Sequence, residues 1–252
     1  MAQYFRETKD RLVVCITKNL DFPPHIHEEL ELVYLYKGQS IACCADQVHH
    51  LREGDFFLAF PEQVHHYYGS RDCEAFLIIV SPGQLPGIKQ KTPLTALYHS
   101  EDEALVSLLK LTVQEHMSHK DETTSAALLT AAVRMLLRHY ELRDDPTKDD
   151  AATQIVRYCS SHYRDPLSVP AIAKALYLSQ SRISHVFNDK LKISFSDYVN
   201  SLRLDEAVRL LAQDKFSMEQ IAELSGFPTT RTFHRVFRKK YAMSPREYKR
   251  AL

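Results

Sequence analysis

Two stretches about fifty residues apart repeat one pattern: IAKALYLSQSRISHVF from Ile172 and IAELSGFPTTRTFHRVF from Ile221. Each runs Ile-Ala, a turn, a polar stretch, then His or Arg followed by Val-Phe. Apolar residues recur at helical spacing, Ile183, Val186 and Phe187 in the first copy and Phe233, Val236 and Phe237 in the second. A short helix, a tight turn and a second helix with one apolar stripe make a supersecondary unit, and the chain contains it twice. The segment carrying both copies is therefore expected to be all-helical. Ser179 and Thr229 are placed to cap the second helices. Gly226 supplies the positive φ that a sharp turn often needs. Tyr177 holds the matching place in the first copy, where a bulky residue costs about 1–2 kcal/mol, so the first turn is expected to differ in shape.

Once each stripe faces its first helix, the outer face of the second helix is polar and basic. It carries Gln180, Ser181, Arg182, Ser184 and His185 in one copy, and Thr229, Thr230, Arg231, His234 and Arg235 in the other. Such a helix fits the major groove, where side chains reach base edges and phosphates. The same pattern also suits an ordinary amphipathic helix with a wet outer face. Charge points the first way. The chain is formally neutral, yet residues 1–150 carry 15 Lys and Arg against 23 Asp and Glu, and residues 151–252 carry 17 against 9. That is −8 for one part and +8 for the other, which makes the second a candidate for a polyanion partner.

The stretch LSVPAIAKALYLSQSRISHVFNDKLKISFSDYVNSLRLDEAVRLLAQDKFSMEQIAELSGFPTTRTFHRVFRKKYAMSPREYK resembles the DNA-binding module of the AraC/XylS family of regulators nearly end to end. The likeness is most specific in SFSDYVNSLRLDEAVRLL, IAELSGF, FHRVFRKKY and MSPREY. It implies two helix-turn-helix units joined by a long helix, about Ser196 to Ala212, presenting both recognition helices to one face of the duplex. By position it assigns base reading to Ser181, Ser184 and His185 in the first helix and to Thr230, Arg231 and Arg235 in the second. Phosphate contacts fall to Arg182, Arg203, Arg238 and Lys239. Serines offer weaker contacts than long side chains, so the second helix should carry more of the specificity. The sequence departs from the family at Tyr177, Lys192 and Ala242, where glycine is usual, which puts local turn geometry in question.

The remainder of the chain reads differently. From Asp10 to Val80, LVVCI, LELVYLY, IACCA, DFFLAF and EAFLIIV are short runs rich in β-branched and aromatic residues, separated by turn signals such as Lys37-Gly38-Gln39 and Arg52-Glu53-Gly54-Asp55. That is the rhythm of a small barrel or sandwich. The Pro/Gly-rich SPGQLPGIKQKTP ends it. Leu105, Leu108, Leu109, Thr112 and Val113, then Leu128, Leu129, Ala132, Val133, Leu136 and Leu137, mark two amphipathic helices that either close the barrel or pair two chains. ELRDDPTKDDAAT reads as a linker. The expected divisions are a barrel over 1–92, a helical connecting or dimerisation segment over 93–140, a linker over 141–153 and the DNA module over 154–252.

PPHIHEELELVYLYKG places His25, His27 and Glu31 at one parity, so a strand here would turn all three to one face. Gly54 is followed by His65. Together these resemble the two cupin motifs, although Asn19, Phe60, Glu62 and Gly69 stand where cupins usually have glycine, proline, glycine and asparagine. Three imidazoles and a carboxylate inside a barrel suit a divalent transition metal such as Zn²⁺, Fe²⁺, Mn²⁺ or Ni²⁺. They equally suit hydrogen bonding to a sugar or carboxylate effector, or a barrel lining with no ligand role. His49, His50, His66, Tyr67 and Tyr68 read as surface or rim residues.

The expected architecture is multidomain: an N-terminal cupin-like β-barrel with trailing helices, then a C-terminal all-α domain with two helix-turn-helix units. The expected function is sequence-specific, DNA-binding transcription regulation, controlled by a small molecule or metal in the barrel. The rival is a metal-dependent cupin dioxygenase or isomerase fused to DNA-binding helices. Partners on the first reading are double-stranded DNA, a small-molecule effector, RNA polymerase and a second copy of the chain, for which the apolar stripes between Leu105 and Leu137 argue. No run approaches the length of a membrane span and MAQYFRETKD is too polar for a signal peptide, so a cytoplasmic protein is expected. Five scattered cysteines without CxxC pairs read as reduced, mostly buried thiols.

Overall fold

Alternating side chains of the N-terminal strands have two apolar surfaces to fill, and the chain fills them by bending its two longest strands. The structure is a computed structural model that describes residues 12–44, 47–81, 91–93, 95–119, 121–144 and 150–250. Strands β1 (Val13–Thr17), β2 (Phe22–His25), β3 (Leu30–Cys44), β4 (Gln47–Arg52), β5 (Asp55–Ala59), β6 (His65–Val80) and β8 (Leu97–His99) form one antiparallel sheet. The two long strands, β3 and β6, pair along most of their length. At one end they are flanked by β5 and β1, at the other by β4 and β2. The sheet thus folds over itself into a cupin-like barrel.

Lys37-Gly38-Gln39, read in the sequence as a turn between two strands, is instead a bend inside β3. Register shifts run from Leu35 to Ile41, and Gly38 adopts φ +79°. A Cβ there would lie 2.3 Å from the Asp72 carbonyl oxygen, so only glycine lets the strands cross this closely. Below the bend, Leu30, Leu32 and Tyr34 face one apolar layer with Phe56, Leu58 and Ile78. Val33 and Leu35 face the barrel interior with Phe57, Ala59 and Leu77.

Helices α1 (Glu103–His119) and α2 (Glu122–Leu137) close the first layer. Leu105, Leu109, Thr112 and Val113 of α1, and Leu129, Ala132, Val133 and Leu136 of α2, are buried. All but Thr112 share one core with the sheet. Burying each such large side chain contributes about 1.5–3 kcal/mol, and that contribution is made inside the chain. The stripes therefore give no reason to expect a homodimer; Leu111 and Met117 are the exposed large apolar residues of this helix pair.

Two segments read as connection and linker contribute a short ribbon, β7 (Lys91–Pro93) pairing with β9 (Leu142–Asp144). Residues 82–90 and 145–149 of the same segments lie outside the described residues. The chain separates into two compact units, Met1–Thr153 and Gln154–Leu252. All five cysteines are thiols outside any disulfide, four of them buried. Among the described residues no helix is long and apolar enough to cross a membrane.

The second unit is helical throughout: α3 (Ala151–His162, which begins just before it), α4 (Val169–Leu176), α5 (Gln180–His185), α6 (Phe195–Ala212), α7 (Met218–Leu224), α8 (Thr230–Tyr241) and α9 (Pro245–Arg250). Ile172, Ile183 and Phe187 in one copy, and Ile221, Phe233 and Phe237 in the other, are at most 2% exposed. Each stripe thus packs inward as its periodicity requires. The turns agree more closely than the sequence suggests. Tyr177 takes φ +56° and Gly226 φ +78°, and Leu178 and Phe227 each donate to a carbonyl five residues back, Ala173 and Ala222. Lys192 (φ +52°) and Ala242 (φ +56°) are left-handed as well. The three departures from glycine therefore leave the turn geometry intact and bear its conformational cost. One difference is real: α5 passes into a π-helical turn, Val186–Lys190, whereas α8 runs unbroken for twelve residues.

Candidate functional site

The segment holding His25, His27 and Glu31 is not one strand. His25 ends β2, His27 lies in the loop and Glu31 sits in β3, so same-face parity does not explain why they meet. They meet because β2 and β3 both pair with β6, with His25 directly opposite His65. The loop is pinned by the Glu62 amide, which donates to the His27 carbonyl at 2.8 Å. Glu62 is left-handed at φ +68°, where the cupin pattern has glycine. Ligand atoms of His25, His27, Glu31 and His65 all lie within 4.8 Å of one another.

Each ring is oriented the same way. Nδ1 lies 2.9 Å from the Pro23 carbonyl in His25, 3.0 Å from that of Glu29 in His27 and 2.9 Å from that of Gln63 in His65. A carbonyl can only accept, so Nδ1 donates and the neutral ring keeps its lone pair on Nε2. All three Nε2 atoms face Glu31: 3.8 Å from His25 and 3.4 Å from His27 to Oε2, and 3.6 Å from His65 to Oε1. Acceptors gathered around a carboxylate repel one another unless a cation lies among them. The arrangement is the one in which backbone carbonyls fix the tautomer of metal-binding histidines.

Burial works against charge on Glu31, but His65, His25 and His27 around it hold its carboxyl well below the usual range. Burial also opposes a proton on His27, and hydrogen bonding to Glu31 with its charge outweighs that and raises the pKa. His65 is pushed down to about 4 by burial and by His25. It is therefore neutral near pH 7, and its buried Nε2 has no hydrogen-bond partner. A single proton on His27 cannot satisfy that atom, whereas one metal ion can bind several donors. At about 2.0–2.1 Å from Zn²⁺, two ligands lie roughly 3.3 Å apart in a tetrahedron. The four donors thus fit one ion after side-chain shifts of about an ångström. The site has a floor and an opening: the Glu31 and His65 side chains are 3% and 0% exposed, those of His25 and His27 15% each.

Three residues read as rim are buried: His49, His66 and Tyr67. Tyr67 is the one that touches the site, its hydroxyl donating to Glu31 Oε1 at 2.5 Å. It lies two residues after His65 on one strand, so the period-2 rule could have placed it there.

In the second unit, Ser181, Arg182, Ser184, His185, Arg231, Arg235, Arg238 and Lys239 are exposed and Thr230 is half-buried. Ser179 and Thr229 cap their helices, accepting from the amides of Arg182 and Thr232. His185 lies 3.4 Å from Asp189, and Lys239 3.2 Å from Asp197. Arg203, expected to bind phosphate, has another task. Its Nε donates to the Tyr163 carbonyl at 2.8 Å and Nη2 to that of Asp165 at 3.0 Å, tying the end of α3 to α6. Arg203→Ala should lower the stability of this unit by about 1.5–3 kcal/mol and leave the salt slope of DNA binding unchanged. Urea unfolding and a salt titration check this; normal stability with a slope reduced by about one would restore the phosphate role.

Residues 13–137 match the AraC-like ligand binding domain family, and residues 172–251 a helix-turn-helix domain family. LumQ of Photobacterium leiognathi, described as a probable transcriptional regulator, is 24% identical over 229 residues, covering 89% of this chain and 90% of that protein. The transcriptional activator RhaS of Escherichia coli is 24% identical over 242 residues, covering 90% and 87%. Apo ToxT of Vibrio cholerae shares the fold, with a TM-score of 0.59 at 16% identity over 97% of this chain and 98% of that one. A second ToxT structure, with a TM-score of 0.53 at 16% identity over 97% of each chain, is described as bound to an unsaturated fatty acid.

Proposed function

Because the chain belongs to the AraC family of transcription regulators, with a ligand-binding N-terminal domain and a helix-turn-helix DNA-binding domain, we propose that the cluster of His25, His27, Glu31 and His65 is its control site and that a divalent transition metal binds there. The relatives are regulators and not enzymes, so the site is read as a switch rather than a centre of turnover. The observation that carries this reading is the buried, unpartnered Nε2 of His65 facing a carboxylate among two further imidazoles. The donor set, three imidazoles and one carboxylate, suits Zn²⁺, Fe²⁺ or Ni²⁺ better than Mg²⁺ or Ca²⁺.

When bound, the metal would supply positive charge, and an ion that takes more than the four protein ligands, such as Fe²⁺ or Ni²⁺, would keep a position open. Against one carboxylate and three neutral rings a divalent ion leaves a net charge of +1, so an anionic small molecule is the effector such a centre accepts. The fatty acid described on ToxT is an anion of that kind. Binding would shift the population between two presentations of the DNA module. On this reading Ser181, Ser184, His185, Thr230, Arg231 and Arg235 read bases, and Arg182, Arg238 and Lys239 hold phosphates. Contact with RNA polymerase and pairing with a second copy rest on the family reading alone.

The test uses the full-length protein. Metal analysis after purification, then titration with Zn²⁺, should find about one ion per chain, and stripping it with a chelator should change the affinity for a selected DNA site. A protein that contains no transition metal and takes up none would overturn the metal reading and leave an organic effector at the same residues.

A further inference from the structure

Resting on that reading of the site, we infer that Tyr67 is a positioning residue of the metal centre: it occupies one oxygen of Glu31 and so makes the carboxylate a one-oxygen ligand. The contact is a 2.5 Å hydrogen bond from the Tyr67 hydroxyl to Glu31 Oε1. The other oxygen, Oε2, faces His27 at 3.4 Å and His25 at 3.8 Å, on the side where the site opens. The two oxygens of Glu31 thus have different surroundings. Oε1 accepts from Tyr67 and lies 3.6 Å from His65 Nε2, whereas Oε2 has no such donor and faces His25 and His27, so the hydroxyl biases the carboxylate toward holding the cation through Oε2.

The hydroxyl is held in place from three directions. Along β6, His65 and Tyr67 are two residues apart and opposite Cys44 and Ala42 of β3, so the strand places both side chains on one face. The Tyr67 ring lies edge-on to Phe57 with centroids 5.4 Å apart and edge-on to Phe22 at 6.5 Å. Tyr67 is 2% exposed, as is Glu31. A ring packed this way cannot swing clear of the carboxylate, and bulk water does not reach the pair to replace the hydroxyl. Fixing the carboxylate at one oxygen stops it from turning to chelate through both, which keeps a coordination position free toward the exposed edges of His25 and His27. Hydrogen-bond partners of metal ligands act in this way, and their loss typically costs about 10- to 100-fold in metal affinity.

The test is the visible spectrum and affinity of full-length protein titrated with Co²⁺, whose ligand-field bands weaken as coordination number rises. Tyr67→Phe keeps the ring and its packing and removes only the donor. The expected result is a weaker, shifted Co²⁺ band, as Glu31 Oε1 joins the coordination sphere, with affinity lower by about 10- to 100-fold. The band decides the matter. A changed band supports the positioning role. An unchanged band overturns it even if affinity falls, because a tyrosine that merely supported the fold would weaken the site without altering how Glu31 binds. Should the phenylalanine variant fail to fold, 4-fluorophenylalanine installed at position 67 fills the place of the hydroxyl without donating, and a band identical to wild type would then overturn the role. Wild-type protein that takes up no Co²⁺ fails the metal reading itself, a result distinct from an unchanged band, and the Tyr67 role falls with it.

Discussion

His27→Ala should abolish high-affinity binding of a transition metal to the barrel, the largest effect expected from any single change. On the metal-site proposal His27 is a ligand, and with His25 it forms an edge of the opening, whereas His65 and Glu31 form the floor. The pH dependence in the wild type follows from which ring competes for a proton. His27 has a raised pKa, so as pH falls it is protonated from above its ordinary value near 6.5 downward, and each bound proton must leave before the metal binds. His65, at about 4, does not compete above roughly pH 5. Stability depends on the same proton, with opposite signs for the metal-free and the metal-bound protein. In metal-free protein the raised His27 pKa adds stability that is present below the unfolded value and lost as pH rises through the folded one. The metal adds stability that grows with pH as the proton leaves. The gain in Tm on adding Zn²⁺ should therefore be larger at pH 8 than at pH 5.5, and absent in His27→Ala. An equal gain in wild type and variant would locate the metal elsewhere.

Arg235→Ala should cost about 1–3 kcal/mol in DNA binding and relax base preference at one position of the site. Arg231, Arg235 and Arg238 are exposed along α8, while Phe233, Val236 and Phe237 bury the opposite face. Lys239 is also exposed but is paired with Asp197 at 3.2 Å. Lys239→Ala should therefore weaken all sequences alike and flatten the salt slope by about one unit or less. Two recognition helices on one chain, read as entering successive major grooves about 34 Å apart, give contact clusters about 10 base pairs apart. The cluster beneath α8 should be the more restricted, since α5 offers Ser181 and Ser184, and its His185 lies beside Asp189. Selected-site experiments on the wild type and both variants separate these outcomes. If Arg235→Ala left the preferred motif unchanged and weakened every sequence equally, Arg235 would be a phosphate contact.

Local pattern was enough for the buried faces and caps of the second unit's recognition helices. Helical spacing of Ile183, Val186 and Phe187, and of Phe233, Val236 and Phe237, determines which face is buried. Short polar residues before each second helix determine its cap, because these are interactions between residues a few positions apart. The sequence also made His25, His27, Glu31 and His65 candidates by residue type and spacing, and put strands before helices in the first unit.

What tertiary structure alone decided depends on residues far apart in the chain. The sequence could not show that Gly38 bends one long strand rather than ending it, because the reason is the Asp72 carbonyl packed against it. Nor could it tell an interface stripe from a core stripe on α1 and α2, since both need the same periodicity and differ only in what lies opposite. Spacing alone puts Tyr67 on one strand face with His65, but only the pairing of β3 with β6 brings Glu31 to its hydroxyl. The two copies of the duplicated unit make the point most directly. At the same left-handed turn, Tyr177 is tolerated because it is 96% exposed, whereas a Cβ on Gly226 would come within 2.5 Å of the Arg164 backbone. The repeat aligns the two positions, yet a tyrosine in place of glycine reads as a differently shaped turn; the demand for glycine is set by the neighbour packed against the turn, and only the folded chain supplies it.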